Sequence, residues 1–387
     1  MNRNKRSVYL LAKTIQYILT PIAKIKGKKV WIVSERGYDA RDNGYHMFKY
    51  LRKQHPEVNA WYLISRDSPD LHKVADLGNI VYLGSLKYWM LYVSASVLMG
   101  AFEAVVPSGN IQFGKEIKIE NHQKYIFLQH GIIGNDLPVY HKENARFDLF
   151  FCGAKPEFDY VSQNFHYNNG EVRYTGLARF DALHNVKPQK TILIMPTWRR
   201  WVAGLNVEEA AESEYVIRWN RVINHPALMN ISEQYHVKVI FYLHELMQKK
   251  ISLFSSSNNN IVVGNHHDYD VQTLLKESSL LITDYSSVNF DFAYMNKPVL
   301  YYQFDREAFF QDHVGVGWFD YQNAGFGECV QNEEDLFQHI NDYAVNGFRV
   351  KPEYEQRMKN VFPLHDDHNC ERIYQEIVNT FEHDEIF

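Results

Sequence analysis

The chain contains little cysteine and lacks the short motifs of the most familiar nucleotide-binding and hydrolytic enzymes. Its 387 residues include three cysteines, Cys152, Cys329 and Cys370, whose wide spacing fits neither a zinc site nor a disulfide framework. Reduced thiols of this kind are typical of the cytoplasm. The sequence has no GxxxxGKS/T loop and no GxSxG turn, and HELMQ at 244–248 lacks the second histidine of HExxH. These absences exclude a P-loop nucleotidase, a hydrolase with a nucleophile elbow and a zincin.

The chain also lacks the positive charge of a general nucleic-acid binder, because its net charge is −5. Only basic charges precede Glu35, and apolar residues recur among them at helical spacing, which predicts a basic amphipathic helix over 1–27. Such a helix can lie in the headgroup region of an anionic membrane or pack on its own domain. It does not resemble a signal peptide, because Lys13 and Gln16 interrupt the apolar run. Its apolar residues are Val8, Leu11, Ile15, Ile18 and Ile22.

The length and the pattern of apolar runs predict two α/β domains. Continuous apolar strands alternate with helices in two series that meet near 184–189, which is typical of parallel sheets covered on both faces. We expect two doubly wound domains with a cleft between them, over 28–186 and 187–365, and a C-terminal helix at 366–387 that packs back on the first domain. The predicted strands are 29–34, 60–65, 80–83, 97–100, 125–129, 148–152, 191–196, 237–244, 260–263, 280–283 and 299–303.

The most informative segment is LLITDYSSVNFDFAYMNKPVLYY at 280–302. It predicts a buried strand, a polar turn at 284–287, a short helix and a second strand. Ser286 or Ser287 stands at the expected N-cap, where a hydroxyl accepts from the first unpaired amides. A helix start after a strand's carboxyl end is suited to binding a phosphate. The alternative is an ordinary strand–helix connection with a good cap.

A second segment, FLQHGIIGND at 127–136, places His130 at the carboxyl end of another strand. Doubly wound folds bind ligands at this edge, and a histidine there can accept a proton near neutral pH. Gly131 permits a close approach or an unusual backbone angle beside it. The alternative is a histidine that only bonds a neighbouring carbonyl.

Four further residues follow predicted strands or flank the expected linker. Thr197 and Arg199 in MPTWRR follow the strand at 191–196, and arginine is a natural partner for phosphate. Arg179 in GLARFD is a second candidate, although either arginine can instead pair with Asp181 or another carboxylate. His244 ends the strand at 237–244.

A possible metal motif is too short to support a prediction of bound metal. Asp268 and Asp270 match a D-x-D pattern beside His266 and His267, but the pattern also precedes a predicted helix at 271–277 that it can cap. We therefore expect neither a metal ion nor another cofactor.

These motifs together resemble those of the CDP-glycerol glycerophosphotransferase family. The motifs are QHG, GLARFD, PTWR, a strand-end histidine and TDYSSVNFDFAYMNKPVLYY, in that order, and the resemblance covers about 28–377. The family primes and polymerises teichoic acids and related capsular polymers, and its fold is similar to that of the two-domain GT-B glycosyltransferases. Its members associate peripherally with the cytoplasmic face of the membrane, and their acceptors are carried on undecaprenyl lipid. The resemblance thus implies a GT-B-like fold and an anionic membrane surface as a partner.

The resemblance also implies a role for each matched residue. His130 would deprotonate the acceptor hydroxyl in an N-terminal acceptor domain, and His244 would bind or protonate the donor diphosphate in a C-terminal CDP-donor domain. Gly131 and Arg179 would support the first site. The second site would hold the donor phosphates through Thr197, Arg199, Thr283, Ser286 and Ser287, with Asp284 and Asp291 positional or in contact with the nucleotide or polyol.

The implied reaction moves glycerol phosphate, or a related polyol phosphate, from CDP-glycerol to a lipid-linked saccharide or polymer and releases CMP. The chain lacks the extra N-terminal region of the large polymerases, which favours a primase or a capsule transferase. Two alternatives stay open: a nucleotide-sugar transferase or epimerase of the same architecture, and a non-catalytic module that binds a polymer or a membrane.

Overall fold

The computed structural model describes residues 29–102, 123–145, 147–266, 268–312 and 315–382, together with residues 7, 10, 11, 14 and 17. These residues form two compact units. The first contains the described residues up to Ile132, Pro138–Ala182 and the chain from Asp366 onward, and the second contains Ile133–Leu137 and Leu183–His365. The main change of unit at Ala182 therefore lies slightly before the boundary predicted at 186.

The first unit is built on a seven-stranded parallel sheet. Its strands are β1 (Val30–Ser34), β2 (Asn59–Ile64), β3 (Ile80–Tyr82), β4 (Ala95–Gly100), β5 (Lys124–Phe127), β6 (Leu149–Cys152) and β7 (Val172–Tyr174). They lie in the order β3-β2-β1-β4-β5-β6-β7, so the winding reverses between β1 and β4. This is the doubly wound order that the alternating apolar runs predict.

Two helices of the first unit begin at polar caps that the sequence provides. Asp42 accepts from the Asn43 amide at the first helix, and Ser85 accepts from the Tyr88 amide at the helix that runs directly into β4. Each cap satisfies an amide that has no partner inside its own helix. The helices are Asn43–Gln54, Leu71–Ala75, Leu86–Ser94, Lys155–Asn164 and Asn369–Thr380, with 3₁₀ turns at Pro138–Tyr140 and Ala178–Ala182.

The last helix, Asn369–Thr380, completes the core of the first unit. Its residues Ile373 and Ile377 are fully buried in one cluster with Trp31 of β1. The helix start is held by Asp181, whose carboxylate accepts from the amides of Asn369 and Cys370 at 2.7 and 2.9 Å. A carboxylate at this position pairs with free amides and with the positive end of the helix dipole.

The second unit contains a six-stranded parallel sheet. Its strands are β8 (Thr191–Ile194), β9 (Lys238–Tyr242), β10 (Ile261–Gly264), β11 (Leu280–Thr283), β12 (Val299–Tyr302) and β13 (Cys329–Val330). Their order is β10-β9-β8-β11-β12-β13, and the winding again reverses, here between β8 and β11. The second sheet thus repeats the topology of the first.

Helices flank this second sheet and bury its apolar strands. Trp219 and Leu336, on two of them, are fully buried in one cluster with Ile194 of β8. The helices are Arg200–Ala203, Val207–Ala211, Glu214–Ile223, Pro226–Tyr235, Val271–Glu277, Val288–Tyr294, Arg306–Asp312, Glu333–Val345 and Pro352–Val361, with a 3₁₀ segment at Glu245–Leu253.

Two edge strands, β7 and β13, are absent from the predicted set. β7 has three residues and β13 has two, so neither contains a continuous apolar run. β7 pairs in parallel with β6, and β13 pairs in parallel with β12.

Most of the predicted N-terminal helix lies outside the described residues. Ser7, Leu10, Leu11, Thr14 and Tyr17 are helical and exposed. No helix in the described part of the chain has the length and apolar content to span a bilayer.

The space beside Gly176 gives a test of how the last helix is attached. Gly176 has a left-handed φ of 80°, and a Cβ there would lie 1.7 Å from Oδ1 of Asn369. Gly84 has a similar φ of 77° with nothing within 4 Å of a Cβ. We expect Gly84→Ala to lose about 1–2 kcal/mol of unfolding free energy from backbone strain alone. Gly176→Ala should lose about 1–3 kcal/mol more from overpacking, measured by urea denaturation. Equal losses in the two variants would contradict this account.

Candidate functional sites in the two units

Each unit has polar residues at the carboxyl edge of its sheet, near the point where the strand order reverses. In the first unit Glu35 follows β1, and the aromatic residue Phe102 lies just beyond β4. In the second unit Thr197 follows β8 and Asp284 follows β11. Loops diverge at such a point and leave room for a ligand.

His130 lies at this edge of the first unit and bonds a carboxylate. Its Nδ1 is 2.5 Å from Oδ2 of Asp42, and its side chain is 49% exposed. The ring of Phe102 lies beside it, with 4.5 Å between the ring centroids. A carboxylate at Nδ1 favours the tautomer with the proton on that nitrogen, which leaves Nε2 able to accept a proton. The arrangement is suited to a general base, and His130 is not limited to bonding a carbonyl.

Asp42 is held as an anion by a second ion pair. Nη1 of Arg179 donates to Oδ1 of Asp42 at 2.8 Å and to the carbonyl of His130 at 2.6 Å. Burial opposes ionisation of Asp42, but the charges of Arg179 and His130 outweigh it and lower the pKa of the carboxyl to about 2. Arg179 thus pairs with Asp42 rather than Asp181, and it orients both members of the Asp42–His130 pair.

The unusual backbone angle near His130 belongs to Gln129 and not to Gly131. Gln129 is buried and has a left-handed φ of 63°, which costs about 1–3 kcal/mol for a residue with a side chain. Its Nε2 donates to the carbonyl of Phe151 at 2.6 Å, and its own carbonyl accepts from Nδ2 of Asn43 at 2.7 Å. These bonds hold the strained turn that brings His130 to the edge of the sheet.

In the second unit, Arg199 is fully buried and is not placed to contact a phosphate. Its guanidinium donates to Asp305 at 2.6 Å, to Asp284 at 2.8 Å and to the carbonyl of Thr197 at 2.7 Å. Burial disfavours the charge, but the two carboxylates outweigh it and raise the pKa of Arg199. The predicted phosphate ligand is therefore a buried ion-pair centre, which fits the alternative that Arg199 pairs with carboxylates.

Asp284 connects the turn after β8 with the turn after β11 at the carboxyl edge of the second sheet. Its Oδ1 accepts from the amides of Thr197 at 2.8 Å and of Tyr285 at 2.6 Å. Asp284 is thus positional, as one of the two predicted roles requires. Thr283 is also structural and not a phosphate ligand, because its buried hydroxyl donates to the carbonyl of Met195 at 2.7 Å.

The two serines of the turn do not cap the helix in the predicted way. Ser287 precedes the helix Val288–Tyr294, but its hydroxyl makes no capping bond and its backbone is already helical. The amides of Asn289 and Phe290 bond instead to the backbone carbonyls of Ser286 and Ser287. Neither serine hydroxyl has a hydrogen bond within the part of the chain that the structure describes, and both residues are half-buried. The hydroxyls are therefore not used by the helix.

Three other predicted residues lie in the second unit. Thr197 is half-buried, and its Oγ1 has no hydrogen-bond partner among the described residues. His244 is half-buried after β9, accepts from the Leu246 amide through Nδ1 at 3.3 Å, and has its ring 6.2 Å from that of Trp198. Asp291 is buried within the helix after the turn.

The D-x-D segment acts as a helix cap. Asp270 precedes the helix Val271–Glu277, and its Oδ1 accepts from the Thr273 amide at 3.0 Å. His267, which the sequence places beside this motif, lies outside the described residues.

Sequence reasoning missed two of the carboxylates that organise these sites, Asp42 and Asp305. Asp42 had a usable signal, because an aspartate directly before a helical pattern is a common N-cap. Asp305 lies shortly after β12, at the same sheet edge as Asp284. Their pairing with His130 and Arg199 depends on contacts over 88 and 106 residues of sequence, which no local pattern encodes.

Comparison with known proteins agrees with the motifs. The model of the CDP-glycerol:poly(glycerophosphate) glycerophosphotransferase family matches residues 13–379. The chain belongs to this family. A relative, the minor teichoic acid biosynthesis protein GgaB of Bacillus subtilis (strain 168), is 30% identical over 383 residues. That match covers 95% of this chain and 41% of GgaB, so the chain spans less than half the length of this relative.

The fold is also similar to that of solved structures. A variant of the wall teichoic acid polymerase TagF aligns with a TM-score of 0.67 at 16% identity and covers 99% of both chains. The MnaA–UDP co-structure from S. aureus aligns with a TM-score of 0.54 at 14% identity, over 92% of this chain and 97% of that one. At these identities the likeness concerns the fold alone, and it confirms the GT-B-like α/β architecture.

The buried Arg199 gives a test of the second site. Replacing it with methionine leaves Asp284 and Asp305 without their counter-charge, and we expect a loss of about 3–5 kcal/mol of unfolding free energy. The control is Arg218→Met, because Arg218 bonds Glu214 and Glu333 but its side chain is 32% exposed. A change within about 1 kcal/mol is expected there. Urea denaturation of both variants measures the difference, and similar stabilities would refute the role of Arg199.

Proposed function

We propose that the chain transfers a polyol phosphate, with glycerol phosphate from CDP-glycerol as the first candidate, to a hydroxyl of a lipid-linked saccharide or polymer. The acceptor oxygen forms a bond to the glycerol-bearing phosphorus, the bond from that phosphorus to CMP breaks, and CMP leaves. The observation that carries the proposal is the Asp42–His130 pair at the sheet edge of a member of this family. Such a pair suits removal of a hydroxyl proton near neutral pH.

In this proposal His130 is the general base. Nε2 takes the proton of the acceptor hydroxyl as the oxygen attacks phosphorus, and the ring becomes a cation. Asp42 stabilises that cation, because its carboxylate is ionised and bonded to Nδ1. Arg179 keeps Asp42 in place and Gln129 sets the direction of the turn. Phosphoryl transfer needs little covalent help, so positioning and charge supply most of the rate.

The second unit binds the CDP donor in this proposal. The hydroxyls of the half-buried Ser286 and Ser287 are the available donors for phosphate oxygens at its sheet edge, whereas the hydroxyl of Thr197, the third predicted phosphate ligand here, is itself buried. His244 contacts or protonates the leaving CMP phosphate, and Asp291 serves the nucleotide or polyol side. Arg199 does not contact the donor in this proposal. Its bonds to Thr197 and Asp284 hold the turns after β8 and β11 in place.

Release of nucleotide tests the reaction. Purified protein is incubated with CDP-glycerol, CDP-ribitol or UDP-sugars, with and without membrane extract, and we expect CMP only with a CDP-polyol and an acceptor.

His130→Ala should abolish turnover and spare donor affinity, and Asp42→Asn should lower kcat about 100-fold or more. The control is His368→Ala, because His368 also bonds a carboxylate, that of Glu371 at 3.1 Å, outside the site.

The other outcomes separate the alternatives. UMP or UDP from a nucleotide sugar would support a sugar transferase or an epimerase. Binding of CDP-glycerol without CMP release, with every acceptor tried, would support a non-catalytic module. A fall in donor affinity in His130→Ala as large as the fall in turnover would contradict its role as the base.

We further propose that the basic N-terminal segment binds the cytoplasmic face of an anionic membrane, where a lipid-linked acceptor resides. Among the described residues of this segment, Leu10 and Leu11 are each about half exposed and Tyr17 is 84% exposed, and exposed apolar side chains of this kind support the proposal. The double variant Leu10→Ser, Leu11→Ser should bind phosphatidylglycerol vesicles about tenfold or more weakly in a sedimentation assay. Val316→Ser removes an apolar residue that is 76% exposed in the second unit and should leave binding unchanged. Equal pelleting of all three proteins would refute the membrane role.

A further inference from the structure

Glu35 is a buried carboxyl group directly beside the Asp42–His130 pair. It follows β1, is 1% exposed, and receives three backbone amides. Oε1 accepts from the amides of Asp42 at 2.9 Å and Tyr45 at 2.8 Å, and Oε2 accepts from the amide of Arg41 at 3.1 Å. All three donors belong to one short segment, so a single side chain determines the path of that segment.

The segment held by Glu35 is the start of the helix Asn43–Gln54. Asp42 is the N-cap of this helix, and the Tyr45 amide is one of the amides that lack an intrahelical partner. The helix start packs directly on the chain after β1, because a Cβ on Gly44 would lie 2.9 Å from the carbonyl oxygen of Ser34 and 3.0 Å from Cγ of Glu35. The backbone of Asp42 therefore has little freedom to move while Glu35 is bonded.

We propose that Glu35 is a positioning residue for the transfer reaction. By holding the Asp42 amide, Glu35 keeps the Asp42 carboxylate against Nδ1 of His130 and within reach of Arg179. The kinetic part of this inference rests on the proposed function. The geometric part, that loss of Glu35 breaks the Asp42–His130 hydrogen bond, does not depend on any activity.

The charges of the two carboxyl groups support separate roles. Burial and the nearby charge of Asp42 raise the pKa of Glu35 to about 8, although the three amide bonds act in the opposite direction. The pKa of Asp42 is lowered to about 2. Near neutral pH the negative charge that faces His130 therefore belongs to Asp42, and Glu35 acts mainly through its hydrogen bonds. Glutamine resembles neutral Glu35 and can keep both bonds made by Oε1.

Three variants test the geometric part. Glu35→Leu removes all three bonds, Glu35→Gln keeps two of them, and Glu157→Leu is the matched control. Glu157 is also a buried glutamate at a helix start in the first unit, where it accepts from the amides of Gly153 at 2.7 Å and Ala154 at 3.3 Å. The readout is the downfield proton NMR resonance of the His130 ring N–H bonded to Asp42, assigned by its loss in Asp42→Asn.

We expect Glu35→Leu and Glu157→Leu to lower thermal stability to a similar extent, but only Glu35→Leu to lose the His130 resonance. Glu35→Gln should retain it. If Glu35→Leu does not fold, Glu35→Asp serves instead, because its shorter side chain cannot keep all three amide bonds unless the segment moves, which should weaken the resonance. A folded Glu35→Leu protein that keeps the resonance would overturn the inference. Loss of the resonance in Glu157→Leu as well would also overturn it, because general loosening would then explain the result.

Kinetics tests the part that rests on the proposed function. Glu35→Leu should lower kcat by up to about 100-fold through misplacement of the base, with KM for CDP-glycerol unchanged. Glu35→Gln and Glu157→Leu should retain most of the wild-type kcat. A rise in KM in Glu35→Leu with an unchanged kcat would contradict positioning. If the wild-type protein turns over no CDP-polyol, the proposed function fails, and the NMR comparison still decides whether Glu35 positions Asp42.

Discussion

The second unit depends on one buried cation, Arg199, that three separate segments share. The turn after β8 supplies a carbonyl, the turn after β11 supplies Asp284, and the chain after β12 supplies Asp305. Two charges of one sign, removed from water, are tolerable only when a charge of the other sign satisfies both. The rings of Tyr285 and Phe309 lie 5.0 and 5.1 Å from the guanidinium and complete the enclosure. The turns after β8 and β11 therefore cannot shift independently, and Ser286 and Ser287 are carried by one of them.

The first unit uses the same chemistry at an equivalent place, with a different result. There the carboxylate of Asp42 pairs with Arg179, but its second oxygen remains for a half-exposed histidine. In the second unit Asp284 and Asp305 both bond Arg199, and the hydroxyls of the half-buried Ser286 and Ser287 are left without hydrogen bonds among the described residues. One switch point thus presents a half-exposed imidazole bonded to a carboxylate, and the other presents the hydroxyls of Ser286 and Ser287. This difference follows from how many carboxylates surround each guanidinium.

The sequence predicted the sheets well because most strands are continuous apolar runs between turn residues. It missed Val172–Tyr174 and Cys329–Val330, whose two or three residues cannot show such a run. Placement at the sheet edge was also readable for His130, because a residue after a buried strand must emerge there. The orientation of Arg199 was not readable, because its burial is decided by Asp305, which is 106 residues away. The local sequence pattern therefore predicts the element and the sheet edge at which a side chain lies. The partners of that side chain depend on contacts with residues far away in the sequence.

The last helix has a consequence for the order in which the chain can fold. Ile373 and Ile377 belong to the core of the first unit, yet they leave the ribosome after all of Leu183–His365. The sequence of the second unit is thus inserted within that of the first. The second unit is synthesised while the core of the first still lacks the helix Asn369–Thr380. Domains usually fold in the order of their synthesis. Here the unit that begins first is completed only after the second unit has been synthesised, so the apolar surface that Ile373 and Ile377 cover stays open until then.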